Sequence, residues 1–296
     1  MSTFFFLRNI LRTLLCLGLL FTLSCSGGKP QYSRNSPEYV YSQAKQAMAD
    51  VKYEKAIGLT NDVLQKFPDT EYAGKARILR VVLLAGLSAA YQDMAEAYLA
   101  GFEKSIQNAG KLRSTAFDYY RKQKNAALGF SESCDYFLSG NAAQKTYVLE
   151  CDFPSRDVAH NKQLAEVREG NVLDTEQRQA AEEQEVWDGM ATTLSFFVGA
   201  VGDRAKARKL LEGGSKNMER SEFVVKLGRT LLENQKVFGR SALSDVQLYK
   251  QFYEKARQSS ELAQTVLKEN PNPEIQTMAD NLKTELEAIE KRGNKF

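Results

Sequence analysis

Apolar residues along the first third of the chain recur at intervals of three and four. In KYEKAIGLTNDVLQKFPDTEYAGKA, Tyr53, Ala56, Ile57, Thr60, Val63, Leu64 and Phe67 fall on one side of a 3.6-residue repeat and make one largely apolar stripe. Such a stripe predicts a helix packed on one face. Pro68 ends it, because proline has no amide hydrogen and pushes Phe67 out of helical geometry, and Asp69 or Thr70 can cap the helix that follows. Ahead of this segment Val40, Ala44 and Ala47 form a matching stripe, with a turn near Ala49 to Lys52. Together the two stripes predict a helix hairpin.

From Ile78 to Met94 apolar residues occupy nearly every face, with Arg80 and Asp93 as the main breaks. A helix apolar all round is a buried one, and the uncharged run Val81 to Gln92 is too short to cross about 30 Å of hydrocarbon. The pattern changes after Phe117. Between there and Phe153 the aromatics Tyr119, Tyr120, Phe130, Tyr136, Phe137 and Tyr147 crowd around Cys134 and Cys151. Core packing and helix-end capping is the expected role of these rings; an aromatic-lined site for a peptide or apolar ligand is the alternative. KTYVLECDFP fits either a short strand or an extended loop. The acidic, Gln-rich DTEQRQAAEEQEVWDGM reads as a solvated helix face. In VGDRAKARKLLEGG, Asp203 is the expected N-cap and Gly213 or Gly214 the C-cap of a helix over Ala205 to Leu211. YEKARQSSELAQTVLKENPNPEIQTMADNL repeats, at wider spacing, the order Tyr, Glu, Lys, Ala, Val, Leu, Pro of Tyr53 to Pro68. Period-two alternation is nearly absent and the chain has only 6 prolines, so the fold is expected to be all-α.

The amino terminus follows a different logic. Arg8 and Arg12 precede an uncharged apolar run, Thr13 to Leu23, which ends in Ser24, Cys25, Ser26, Gly27 and Gly28. Positive start, apolar middle and small-residue end are the layout of an export signal. In Thr22, Leu23, Ser24, Cys25 the chain resembles bacterial lipoproteins, whose signal is cut before a cysteine that becomes lipidated. The resemblance implies a mature chain beginning at acylated Cys25, with Ser26 implying release to the outer membrane. Ordinary signal-peptidase cleavage near Ser24 or Ser26, giving an unlipidated secreted protein, is the alternative. Two or more acyl chains hold durably, at about 0.8 kcal/mol per buried methylene. The polar stretch from Gly27 to Pro37 reads as a flexible tether.

At Tyr53 to Pro68 and the helix before it, the chain resembles a tetratricopeptide repeat, a pair of antiparallel helices. Ala44, Ala47, Tyr53, Ala56, Val63 and Pro68 fall on that pattern's small, aromatic and proline positions; Val40 and Gln43 stand where its Trp and Leu are expected. Tyr72 to Phe102 look like a following helix pair, and FPDTEYAGKA is similar to the repeat junctions of outer-membrane lipoproteins that assist β-barrel insertion. The implied fold is a right-handed TPR-like array of helix hairpins with an irregular insertion. The expected organisation is a signal peptide over 1–24, a lipidated cysteine and tether over 25–37, TPR-like helices over 38–108, an aromatic-rich helix and insertion over 109–160, and a helical region with degenerate repeats over 161–296.

Charge adds an exclusion. The chain has 40 Lys and Arg against 37 Asp and Glu, and losing Arg8 and Arg12 with the signal leaves a formal charge of about +1, too little for a long-range field towards nucleic acid. Of the 4 cysteines, Cys16 leaves with the signal and Cys25 would be acylated. Cys134 and Cys151 are then the remaining pair in a compartment that permits disulfides. A bridge would close a loop of about 18 residues and contribute roughly 3 kcal/mol; two unpaired buried thiols are the alternative. His160 is the only histidine, no short cysteine spacing accompanies it, and GGSK at Gly213 to Lys216 lacks the spaced glycines of a phosphate loop. No catalytic residue, metal site or cofactor is expected. Carboxylates such as Glu150 and Asp152 lack a mark of acid or base. The expected function is therefore a non-enzymatic scaffold for envelope proteins or peptides, anchored in the outer membrane and facing the periplasm. A ligand-binding, substrate-handing lipoprotein, resembling the T component of tripartite transporters in layout, is the alternative. A cell-wall hydrolase would need two carboxylates facing each other across a cleft.

Overall fold

The computed structural model describes residues 33, 35–139, 144–151, 161–198, 214–239 and 245–292. The expected export signal, Cys25, Phe153, His160 and the segment from Asp203 to Gly213 lie outside them. Among the described residues the chain is mostly helical, in agreement with the all-α expectation, with nine helices and two short strands.

The first hairpin is α1 (Pro37–Ala49) and α2 (Tyr53–Lys66). Ser36 caps α1 by accepting from the Tyr39 amide at 3.2 Å, and Pro37 supplies a pre-set first turn. The chain reverses through Val51, whose φ of 65° is the left-handed conformation that usually falls to glycine. Ala44, Ala47, Ala56 and Val63 are buried, Tyr53 is nearly so, and Pro68 stands exposed in the turn after α2. Thr70 does sit at the start of the next helix, but its hydroxyl turns back to the Phe67 carbonyl at 2.8 Å instead of capping forwards.

That next helix corrects the expected second hairpin. Tyr72 to Phe102 belong to one unbroken helix, α3 (Glu71–Lys104), of 34 residues. Its glycines do not turn the chain. A Cβ on Gly86 would stand 2.5 Å from the Met190 side chain and 2.7 Å from its Cα, so this glycine exists to let another helix touch the α3 backbone. By length and hydropathy α3 could cross a membrane, yet 78% of its most apolar stretch is buried inside the protein. It is the central post of the fold, and this is why it is apolar on every side.

Around α3 pack α4 (Ala109–Leu138), α5 (Lys162–Arg168), α6 (Thr175–Val198) and α7 (Arg220–Phe238); α8 (Val246–Glu269) and α9 (Pro273–Lys291) cover α7. Asp174 and Gln177 form a reciprocal capping box at the start of α6, at 2.8 and 3.1 Å. The stretch resembling a second repeat lies inside α8 and continues through Asn270 to α9, so it does make a helix hairpin, but Tyr253 sits in the helix interior instead of starting it.

KTYVLECDFP supplies strand β1 (Thr146–Cys151), and its antiparallel partner is β2 (Gly214–Glu219), with Tyr147 opposite Met218 and Glu150 opposite Ser215. Gly214 thus opens a strand. Tyr147 and Leu149 point inwards, and Tyr147 joins Phe137, Phe197 and Phe223 in a ring cluster with centroids 4.5 to 5.6 Å apart. Most of the aromatic segment is core, as expected; Phe117 is the exposed exception.

The expected bridge between Cys134 and Cys151 is not formed. Cys134 is a free thiol, fully buried in the face of α4 that meets α8, one turn from Ser131, which accepts from Gln251 at 2.9 Å. Glu150, next to Cys151, is tied elsewhere, to Lys75 at 2.8 Å and Lys45 at 3.5 Å on α3 and α1. β1 meets α4 through Tyr147 and Phe137, with 5.5 Å between ring centroids, while Cys134 is enclosed as a free thiol. Burial also pushes the Cys134 thiol well above its ordinary pKa.

Candidate functional site

Three helices that are distant in sequence converge on an open cleft of about 650 Å³, lined by the start of α2, the middle of α4 and the first half of α6. From α2 comes Tyr53, the position singled out as the repeat aromatic. The face of α4 contributes Tyr119 and Lys122, and α6 contributes Arg178 and Glu182.

Glu182 ties the walls together. Tyr119 donates its hydroxyl to Glu182 Oε2 at 3.0 Å, and Lys122 Nζ reaches both carboxylate oxygens at 2.9 and 3.0 Å. The Lys122 ammonium also lies over the rings of Tyr91 and Tyr119, at 5.2 and 5.1 Å from their centroids. Tyr119 in turn stacks on Tyr98 at 5.6 Å. Burial, reinforced by the Glu182 carboxylate, holds the Tyr91 and Tyr119 hydroxyls well above the ordinary tyrosine range, so both remain donors. At the rim Arg178 and Gln179 are exposed on α6, and Asn125 on α4. The cleft therefore has a wall backed by the nearly buried rings of Tyr53 and Tyr119 and a rim carrying charges of both signs.

One turn along α6, Glu185 meets Asp93 of α3. The two carboxyls share a hydrogen bond, and Asn161 donates to Glu185 Oε2 at 3.1 Å. Burial, then the charges of Glu185 and Glu96, raise the Asp93 carboxyl to about 7. Burial raises Glu185 as well. A carboxyl perturbed in this way is one mark of a general acid. Here the two groups touch, whereas a glycosidase pair stands at least about 5 Å apart to admit the sugar bond. Among the described residues, no group of three His, Cys, Asp or Glu side chains is placed to hold a metal ion.

Of the residues singled out in the sequence, Tyr53 and Tyr119 reach this cleft. Ala44, Ala47, Ala56 and Val63 pack the hairpin behind it, Cys134 is distant in the core, and Cys25 lies outside the described residues. Asp93, Tyr119, Lys122, Glu182 and Glu185 were not singled out as a group. Asp93 carries a signal as a charge interrupting an apolar helix, and Tyr119 as one of the aromatics crowded after Phe117. Comparison with protein-family models, with curated proteins and with solved structures finds no match for this chain.

Proposed function

We propose that this protein is a cell-envelope lipoprotein, anchored in the outer membrane through Cys25 and facing the periplasm, that acts as a non-enzymatic helical scaffold for an envelope protein or peptide. The partner belongs to an assembly, secretion or transport system. The anchor part of this reading rests on the sequence from Arg8 to Gly28. The scaffold part reads the α1–α2 hairpin as one TPR-like unit seated on α3, with the cleft beside it as the binding surface.

The observation that carries the scaffold is the character of that cleft. It is open, Tyr119 in its wall is held by Glu182 and Lys122, and Arg178, Gln179 and Asn125 stand exposed at its rim, so a bound segment would meet polar groups on a fixed wall. A substrate-handing role would call for a hollow along Ile78 to Met94. There Val81, Leu83, Ala90 and Met94 have no exposed surface, and Gly86 leaves no space for one methyl group.

The test is site-specific cross-linking of the lipidated chain in intact envelope. A photo-reactive residue at Asn125 or Gln179 should capture one discrete protein, and the same group at Lys291, exposed at the end of α9 and outside the cleft lining, should not. Capture should fall when Arg178→Glu is introduced. Absence of any cleft-specific adduct, with a small molecule retained by the purified protein in native mass spectrometry, would overturn the scaffold. A protein that stays membrane-bound and lipid-labelled after Cys25→Ala would overturn the anchor.

A further inference from the structure

A second, smaller cleft of about 220 Å³ opens between α2, α3 and α4, lined by Asn61, Leu64, Arg77, Arg80, Glu132, Ser133 and Tyr136. It holds two arginines one helical turn apart, and neither makes an ion pair with a carboxylate among the described residues. Arg80 is half-buried and its direction is fixed. Its Nε donates to Ser133 Oγ at 2.9 Å, Ser133 passes its own proton to the Gly129 carbonyl at 2.6 Å, and a terminal guanidinium nitrogen donates to Asn61 Oδ1. These partners are neutral. They use two of the five N–H groups of a guanidinium, which leaves three without an acceptor among the described residues. Arg77 lies over the Tyr136 ring, its central carbon 3.9 Å from the centroid, and makes no ion pair among the described residues that would use its N–H donors.

Half-buried arginines normally sit opposite carboxylates, because a guanidinium taken from water needs acceptors for its donors. This pair is instead held in place by a serine, an asparagine and a ring. The single carboxylate lining the cleft, Glu132, is not within ion-pair distance of either. Burial draws the Arg80 pKa down and the charge of Glu132 opposes that. The remaining walls, Leu64 and the Tyr136 ring, are apolar.

We propose that Arg77 and Arg80 form a binding site for an organic carboxylate, with the guanidinium edges taking the two oxygens and Leu64 and Tyr136 taking a short hydrocarbon stem. The volume admits one such end group and not a whole drug-sized molecule. Two sources share this chemistry, a small carboxylic acid and the chain end of a peptide. The site is separate from the larger cleft, and its existence does not depend on the scaffold reading.

Calorimetric titration of the full mature chain tests it with four probes: butyrate, acetyl-alanyl-alanine as the free acid, the same peptide as its amide, and inorganic phosphate. The free acid should bind, and the amide should not. Binding should weaken about tenfold or more in the double variant Arg77→Gln and Arg80→Gln, and between 50 mM and 500 mM salt. Glu132→Gln, which removes a competing charge without touching the arginines, should tighten binding; it keeps the test decisive if the double variant folds poorly. Butyrate binding as well as the peptide acid assigns the site to small acids, and a clear preference for the peptide assigns it to chain ends. Equal binding of acid and amide, phosphate binding tighter than either carboxylate, or no binding of a carboxylate at millimolar concentration would each overturn the proposal.

Discussion

Asp93 of α3 hands a hydrogen bond to Glu185 of α6, so two carboxyls on different helices share one proton in a half-buried contact. Asp93 also faces Glu96 and Arg168, and Glu185 faces Asp188, Arg168 and Asn161. The unfolded aspartyl group titrates near 3.9, whereas the folded one titrates at about 7. Between those values the folded chain retains a proton that the unfolded chain has released. Stability should therefore fall as pH rises from about 4 to about 7 and level off above. Urea melts at pH 5 and pH 8 should differ on the order of a few kcal/mol, and Asp93→Asn, which keeps the donor and removes the charge, should flatten the dependence. A melt that strengthens monotonically across this window would contradict the shared proton.

Two glycines should respond to alanine in opposite directions. Gly86 meets Met190 backbone, so Gly86→Ala must push α3 and α6 apart and should cost about 1–3 kcal/mol or more. Around Gly58 nothing lies within 4 Å of the added carbon. There the same substitution removes only unfolded-state entropy, and Gly58→Ala should stabilise α2 by roughly 0.5–1 kcal/mol. Thermal unfolding of the two variants side by side reads the contrast.

Lys226 is buried in α7, where its ammonium reaches Glu222 Oε1 and the Phe197 carbonyl, each at 2.5 Å. Burial lowers its pKa and Glu222 works against that. Removing the acid alone leaves a buried cation, so Glu222→Ala should cost about 3 kcal/mol or more. Lys226→Met removes the desolvated charge, and Glu222 keeps Lys216 at 3.1 Å, so that variant should stay within about 1 kcal/mol of the parent. Equal losses in denaturant titrations would refute this account.

Cys134 should be inert to a maleimide in the native chain and react once the protein is unfolded, because the thiol is buried and its pKa is raised. Non-reduced peptide mapping should recover Cys134 and Cys151 on separate peptides. Recovery of a linked pair would restore the bridge expected from the sequence.

Tyr53 and Val63 illustrate what periodicity made legible. A stripe at three and four, closed by Pro68, specifies a helix and its buried face with no knowledge of the partner, since both follow from local geometry. The central place of α3 was legible in the same way, because a helix apolar on every face has to be covered. Its two charged interruptions were visible too, Arg80 and Asp93, and each proves to sit where another helix brings neutral acceptors or a second carboxyl.

Other features required the tertiary structure. Gly86 in the sequence is compatible with a turn, and only the approach of Met190 shows that the helix continues and that the glycine is a contact point. β2 is too short and polar to declare itself; it exists because β1, many residues earlier, offers an open edge. Cys134 and Cys151 fit a bridge by elimination, and only the packing around α4 shows Cys134 enclosed as a free thiol. The cleft is the same case: Tyr119 is a core-type aromatic, Lys122 and Glu182 are ordinary charged residues, and only packing sets the three together. The sequence by itself determined the all-helical class, the first hairpin with its buried face and the burial of the apolar helix after it, since these depend on spacing alone. Only the tertiary structure decided which polar groups confront one another, because burial and charge proximity arise between elements that share no local sequence.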